Sequence, residues 1–103
     1  MKTKTEYSLY IGLKESDMVT NIPMNRALRV INRNLLAHGI TGFNAHKIEG
    51  FWESKGESSL LVNFINTFGI QKRVLYHAIA SIKKDLNQET ILLKQNPVRH
   101  DFI

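Results

Sequence analysis

The run Gly50-Phe51-Trp52-Glu53-Ser54-Lys55-Gly56-Glu57-Ser58-Ser59-Leu60 decides the fold. Its centre, residues 53–57, is polar and holds a glycine, the composition of a hairpin loop. The segments Ile40 to Trp52 and Ser58 to Asn66 on either side read as strands. A strand pair therefore sits in the middle of the chain, and the flanking elements must pack on it.

Moving outward, Met24, Ala27, Leu28, Ile31 and Leu35 recur at spacings of three and four, an apolar stripe on a helix running to about His38. Asn21 is its expected cap, Pro23 falls in its first turn, and Gly39 supplies the left-handed residue that ends a helix. Before it, Tyr7 to Leu13 alternates, with Tyr7, Leu9, Ile11 and Leu13 on one face and Ser8, Tyr10 and Gly12 on the other. Residues 14–22 form a polar loop. On the far side, Val74, Leu75, Ala78, Ile79, Ile82 and Leu86 stripe a second helix over Gln71 to Leu86. Thr90 to Lys94 is a last strand, followed by a tail, residues 96–103, that holds Pro97, Arg99 and His100. In the second strand Phe43 and Ala45 share a parity with Lys47 and Glu49, while Ile48 lies opposite. A bulge near His46 or Lys47 is expected to repair that break.

The order β-α-β-β-α-β with single-striped helices predicts a ferredoxin-like two-layer α+β sandwich, its antiparallel sheet carrying both helices on one face. The 103 residues make one domain with a core over about 6–95. The absence of cysteine removes disulfides, thiolate nucleophiles and zinc-finger cages. No apolar run approaches the roughly 20 residues that span a bilayer. The basic start Met1-Lys2-Thr3-Lys4-Thr5-Glu6 leads into alternation rather than the apolar core of a secretory signal, so a cytoplasmic location is expected.

The segments Leu9-Tyr10-Ile11-Gly12-Leu13 and Gly42-Phe43-Asn44-Ala45-His46-Lys47-Ile48-Glu49-Gly50-Phe51-Trp52 carry a resemblance. They are similar to a family of small uncharacterised bacterial proteins with an LYFGL-like first strand and a G-L-T-x5-G-x-W second strand. Gly42 and Gly50 keep the spacing, Trp52 follows two residues later, and Glu57-Ser58-Ser59 matches the E-x-S start of the third strand. Asn44 stands where that family has threonine, and Ile11 where it has an aromatic residue. The resemblance implies the fold over about residues 7–66 and no activity. A looser likeness, through Gly39-Ile40-Thr41-Gly42, is to PII-like and CutA-like proteins, which bind nucleotides or metals at subunit clefts. The chain holds no phosphate-binding glycine loop, so that likeness is one of fold alone.

Helices can shelter only one sheet face. If Leu9, Ile11, Leu60, Val62 and Phe64 point at them, then Tyr10, Leu61, Asn63, Ile65 and Leu92 point away and form an exposed patch of a kind monomers seldom carry. Trp52 beside the hairpin fits the same interface. A homo-oligomer, with a dimer favoured, is the expected cover, the alternatives being another partner or the tail from Val98 to Ile103. The net charge of +5 and the stripe Arg26, Arg29 and Arg33, with Lys83 and Lys84, form a candidate polyanion-binding surface. His46, Glu49 and Glu57 on neighbouring strands form a candidate ligand cleft capable of acid–base work. His38, His46, His77 and His100 lack metal-ligand spacing, and no metal, cofactor or catalytic residue is expected.

Three functions stay open: a non-enzymatic oligomeric binding or regulatory module; a basic phage or mobile-element accessory protein acting on nucleic acid or host defence machinery; and a small-molecule binder or enzyme with a cleft near His46 and Glu57. The first leads. It predicts a light-scattering mass at least twice that of the 11.8 kDa chain. A clean monomer at high micromolar concentration removes the exposed patch as a self-docking surface.

Overall fold

The computed structural model describes residues 2–52 and 55–103. The elements run β1 (Lys2–Gly12), α1 (Met24–Ala37), β2 (Asn44–Trp52), β3 (Lys55–Ile65), α2 (Lys72–Asp85) and β4 (Leu92–His100). The four strands form one sheet in the order β2-β3-β1-β4, and every neighbouring pair is antiparallel. This is the expected ferredoxin-like two-layer sandwich.

The core lies between the layers. Tyr7, Leu9 and Ile11 of β1 and Leu60, Val62 and Phe64 of β3 are buried against Ala27, Ile31 and Leu35 of α1 and Leu75, Ala78 and Ile82 of α2. These are the alternate strand positions and the helix stripes read from the sequence. Burying one such aliphatic side chain is worth about 1.5–3 kcal/mol, so the layer contact supplies most of what holds the sheet to the helices.

Both helices end alike. The Ile40 N–H donates to the Leu35 carbonyl at 2.9 Å and the Gly39 N–H to the Leu36 carbonyl at 3.1 Å, with Gly39 at φ +84°. On α2 the Gln88 N–H donates to Lys83 at 2.8 Å and the Asn87 N–H to Lys84 at 3.2 Å, with Asn87 at φ +50°. Each is a Schellman closure satisfying carbonyls that the last turn leaves orphaned.

Several boundaries differ from expectation. Asn21 does not cap α1. It forms an isolated antiparallel bridge with Lys14, and Pro23 occupies the N-cap with no side-chain hydrogen bond. β2 starts at Asn44 rather than Ile40, because Ile40 is buried as the closing residue of the α1 terminus. The bulge near His46 or Lys47 is not formed: β2 pairs with β3 without interruption from Asn44↔Asn63 to Trp52↔Lys55. Lys47 and Glu49 do face the helix side of the sheet, but they are exposed there, so Ile48 falls on the open face with no need of a bulge. β2 ends at Trp52 as read, but β3 begins at Lys55 rather than Ser58, leaving only residues 53–54, outside the described residues, between them.

The largest correction is at the C-terminus. The segment read as a tail from residue 96 is the second half of β4, pairing from Asn96↔Glu6 to His100↔Lys2. Its partner is the N-terminal half of β1, whose lysines and glutamate masked a strand beginning at Lys2. β4 lies at the sheet edge, where Pro97 is tolerated although it has no N–H to donate.

Gly39→Ala places a Cβ 3.1 Å from Ile70 Cδ1 in a left-handed conformation. It is expected to destabilise the protein by about 1–2 kcal/mol in urea unfolding. Gly42→Ala, with only Phe68 Cζ at 4.0 Å, is expected not to lower stability. Equal losses from both would refute the Schellman assignment.

Candidate functional site on the open sheet face and its lower rim

The face away from the helices is built from the complementary strand positions. Leu92, Tyr10, Leu61 and His46 form one row across all four strands, through the pairs Tyr10↔Leu92, Tyr10↔Leu61 and His46↔Leu61. Leu92 is 59 % exposed, and Tyr10 and Leu61 are half-buried. Lys94 Nζ lies 5.7 Å from the Tyr10 ring centroid, a cation over an aromatic face. Ile65 shares this face two rows further down, beyond Asn63 and beside Glu6. Strand parity therefore puts Tyr10, Leu61, Asn63, Ile65 and Leu92 where the sequence placed them, with polar neighbours between. Trp52 ends β2 opposite Lys55, and its side chain lies outside the described residues.

The three-residue cleft is not assembled. His46 and Glu57 sit on the open face but four residues apart along the ladder, about 13 Å at strand rise. Glu49 points to the helix side, where the Ser58 hydroxyl donates to its carboxylate at 2.9 Å and Lys47 Nζ lies 3.9 Å away. The period of two separates Glu49 from the other pair. Its neighbour Phe51 is 78 % exposed on the same side, although a helix would be expected to cover that face. Its ring lies against Gly56, where an added Cβ would stand 3.3 Å from it. This end of the β2–β3 hairpin thus projects past the helical layer as a two-stranded arm.

The arginine stripe is partly engaged. Arg33 Nη2 lies 3.2 Å from Asp85 Oδ2, and Arg26 Nη2 donates to the Asp85 carbonyl at 3.3 Å. Asn34, buried in α1, donates to Asp85 Oδ2 at 3.1 Å and to the Val30 carbonyl at 2.9 Å. The Asn34 hydrogen bond, and then Arg33, hold the Asp85 carboxyl below its ordinary value. Arg29 and Lys84 are exposed, and Lys83 is half-buried.

The concave feature lies at the lower rim, where β2 begins, β3 ends and the chain's C-terminus returns. A shallow cavity of ≈ 470 Å³, open to solvent, is lined among others by Phe43, Asn44, Asn63, Phe68, His100 and Phe102. The loop after β3 is pinned by Asn66, which donates to the Ile70 carbonyl at 2.9 Å and accepts from the Ile70 N–H at 3.2 Å. That holds Phe68 6.2 Å from Phe64, while His100 and Phe102 stack edge to face at 5.6 Å. Two buried polar atoms on this lining, Asn63 Oδ1 and His100 Nδ1, have no hydrogen-bond partner among the described residues. Buried polar atoms are nearly always paired, so each of these calls for a partner such as a bound water or a shift of its side chain. Sequence reading assigned Asn63 to an interface and His100 to a tail. The one legible signal was an amide inside the apolar run Leu60-Leu61-Val62-Asn63-Phe64-Ile65. Among the described residues no cluster of three or more His, Cys, Asp or Glu could hold a metal ion, and no helix is long and apolar enough to cross a membrane.

No protein-family model and no curated protein matches the chain. Solved structures do. A phage SAM lyase in its apo state superposes with a TM-score of 0.64 at 16 % identity, over 92 % of this chain and 81 % of that one. A phage SAM lyase in complex with S-methyl-5'-thioadenosine superposes with a TM-score of 0.63 at 14 % identity, over 90 % and 80 %. At these identities the likeness is one of fold.

The lowered Asp85 carboxyl has a consequence for stability. A depressed folded-state value stabilises above the unfolded value of 3.8, and that contribution is lost as pH falls through the lower folded value. Thermal melts below pH 4 are expected to show a steep loss in the wild-type protein and a shallower one in Asp85→Asn. Parallel curves would contradict the Asn34–Asp85–Arg33 linkage.

Proposed function

We propose that this chain is a phage-type S-adenosylmethionine protein, which binds the adenosyl sulfonium or its thioether product at the lower-rim cavity and acts on the sulfonium as a lyase. The bond from sulfur to the amino-acid side chain breaks, sulfur leaves with the electron pair as the thioether, and the amino-acid carboxylate closes on the carbon released. The observation that carries this reading is the fold likeness to phage SAM lyases across 92 % of the chain. The cavity supports it on independent chemical grounds. Its volume falls in the range of small-molecule sites. Phe43, Phe68 and Phe102 line it with phenyl rings suited to a flat purine, and Asn63 and His100 bring polar side chains to the same wall. A sulfonium is a cation, attracted to aromatic faces and to the Asp101 carboxylate on the same rim.

The working unit is a homo-oligomer. An isolated two-stranded ribbon is marginal in water, and the arm around Phe51 has no helix over it. Tyr10, Leu61 and Leu92 add an uncovered apolar row beside it. Further copies of this chain are the proposed cover for both.

Titration calorimetry with S-adenosylmethionine and with S-methyl-5'-thioadenosine tests binding, and chromatography of incubated S-adenosylmethionine tests turnover. Both ligands are expected to saturate one site per chain, with the thioether product accumulating. Asn63→Leu is expected to weaken both at least 10-fold while raising the melting temperature, because removing a buried orphan acceptor relieves about 1–3 kcal/mol. Binding without product would make the protein a binding module. No heat with either ligand would overturn the reading.

A further inference from the structure

The helical layer carries a charge imbalance that the proposed adenosyl site does not use. α1 holds Arg26, Arg29 and Arg33 with no acid, and α2 holds Lys72, Arg73, Lys83 and Lys84 with Asp85 alone. Half of the chain's 14 Lys and Arg thus sit on two helices that hold one of its 9 Asp and Glu. The remaining acids fall elsewhere, with Glu6, Glu49 and Glu57 on the sheet.

Five of these seven cations are exposed, and Arg26 and Lys83 are half-buried. Arg29, Arg33, Lys72, Arg73 and Lys84 are all exposed, as are the uncharged Asn25, Asn32 and Tyr76 near them. Some are held in place: Arg33 by Asp85, Arg73 by the Gln71 amide oxygen at 3.0 Å, and Lys72 over the Tyr76 ring at 5.7 Å. Each helix is 14 residues long, so the basic surface extends about 21 Å along the layer.

From this distribution we infer that the outer helical surface docks the phosphate backbone of duplex nucleic acid. A duplex presents one negative charge per about 1.7 Å of axis, roughly twelve over the length of this surface. That density matches a surface of one sign. A folded acidic protein mixes signs and would leave several of these cations opposite neutral or positive groups. The contact is sequence-independent, because it engages phosphates and places no element in a groove. It also leaves the open sheet face and lower rim accessible, so nucleic acid and the small ligand do not compete.

Fluorescence anisotropy of a short labelled DNA duplex tests the inference with the full chain. Binding at about 50 mM salt is expected to weaken roughly 100-fold by about 200 mM, as for four neutralised phosphates. The pair Arg29→Glu and Lys84→Glu is expected to weaken binding more than 10-fold and to cut the salt slope by about two. A pair of equal charge change on the open sheet face, Lys4→Glu and Lys94→Glu, is expected to stay within about threefold. Arg29→Gln with Lys72→Gln, which avoids charge reversal on a helix, should fall between the two. Absence of binding at low salt overturns the inference. Equal losses from the helix pair and the other pair reduce it to net charge alone, and competition by polyglutamate as effective as by unlabelled duplex assigns the surface to an acidic protein instead.

Discussion

In a β-strand successive side chains leave on opposite sides, and two helices can cover only one side of a four-stranded sheet. Leu9 and Ile11, Leu60, Val62 and Phe64 take the covered side and build the core. The residues between them are committed to the other side whatever their chemistry. Tyr10, Leu61 and Leu92 line up there because continuous antiparallel ladders leave them no choice of face. The same rule divides Glu49 from His46 and Glu57.

The ends of the sheet are shaped by unequal strand lengths. β1 and β4 run together as far as Lys2 and His100, whereas β3 stops at Ile65, opposite Glu6. The step left by the shorter strand is where the loop carrying Phe68 and the C-terminal residues meet. A step of this kind gathers side chains from both faces, and it accounts for phenyl rings and orphaned polar atoms sharing one cavity. At the upper end β2 and β3 outrun the helices instead, leaving an arm with both faces wet.

The helices add a division of charge to this division of faces. Their buried stripes contribute to the core, and their outer surface is almost purely cationic, with Asp85 drawing Arg33 and Asn34 into a link between α1 and α2. The link orders the middle of the basic surface at little cost in charge. The two helix ends are closed by the same Schellman geometry, once with Gly39 and once with Asn87. Asn87 also donates to Glu15 at 3.1 Å and accepts from Ser16 at 3.2 Å, tying the β1–α1 loop to the end of α2.

Periodicity alone was enough to determine the element order, the helix stripes, the buried strand parity and the outward position of Tyr10, Leu61 and Leu92, because these are properties of neighbouring residues on one strand or helix. Gly39 was legible for the same reason, and Asn87 was not, since asparagine takes the left-handed conformation less readily than glycine and signals a helix end less strongly. Only the tertiary structure decided that residues 96–100 are strand, since a polar edge segment holding a proline shows no apolar alternation and needs β1 as its template. It alone separated Glu49 from His46 by register, and brought Asn63 and His100, 37 positions apart in the chain, onto one cavity wall. Chain closure over such distances is written in no local pattern. It follows from which strands stop short and which continue.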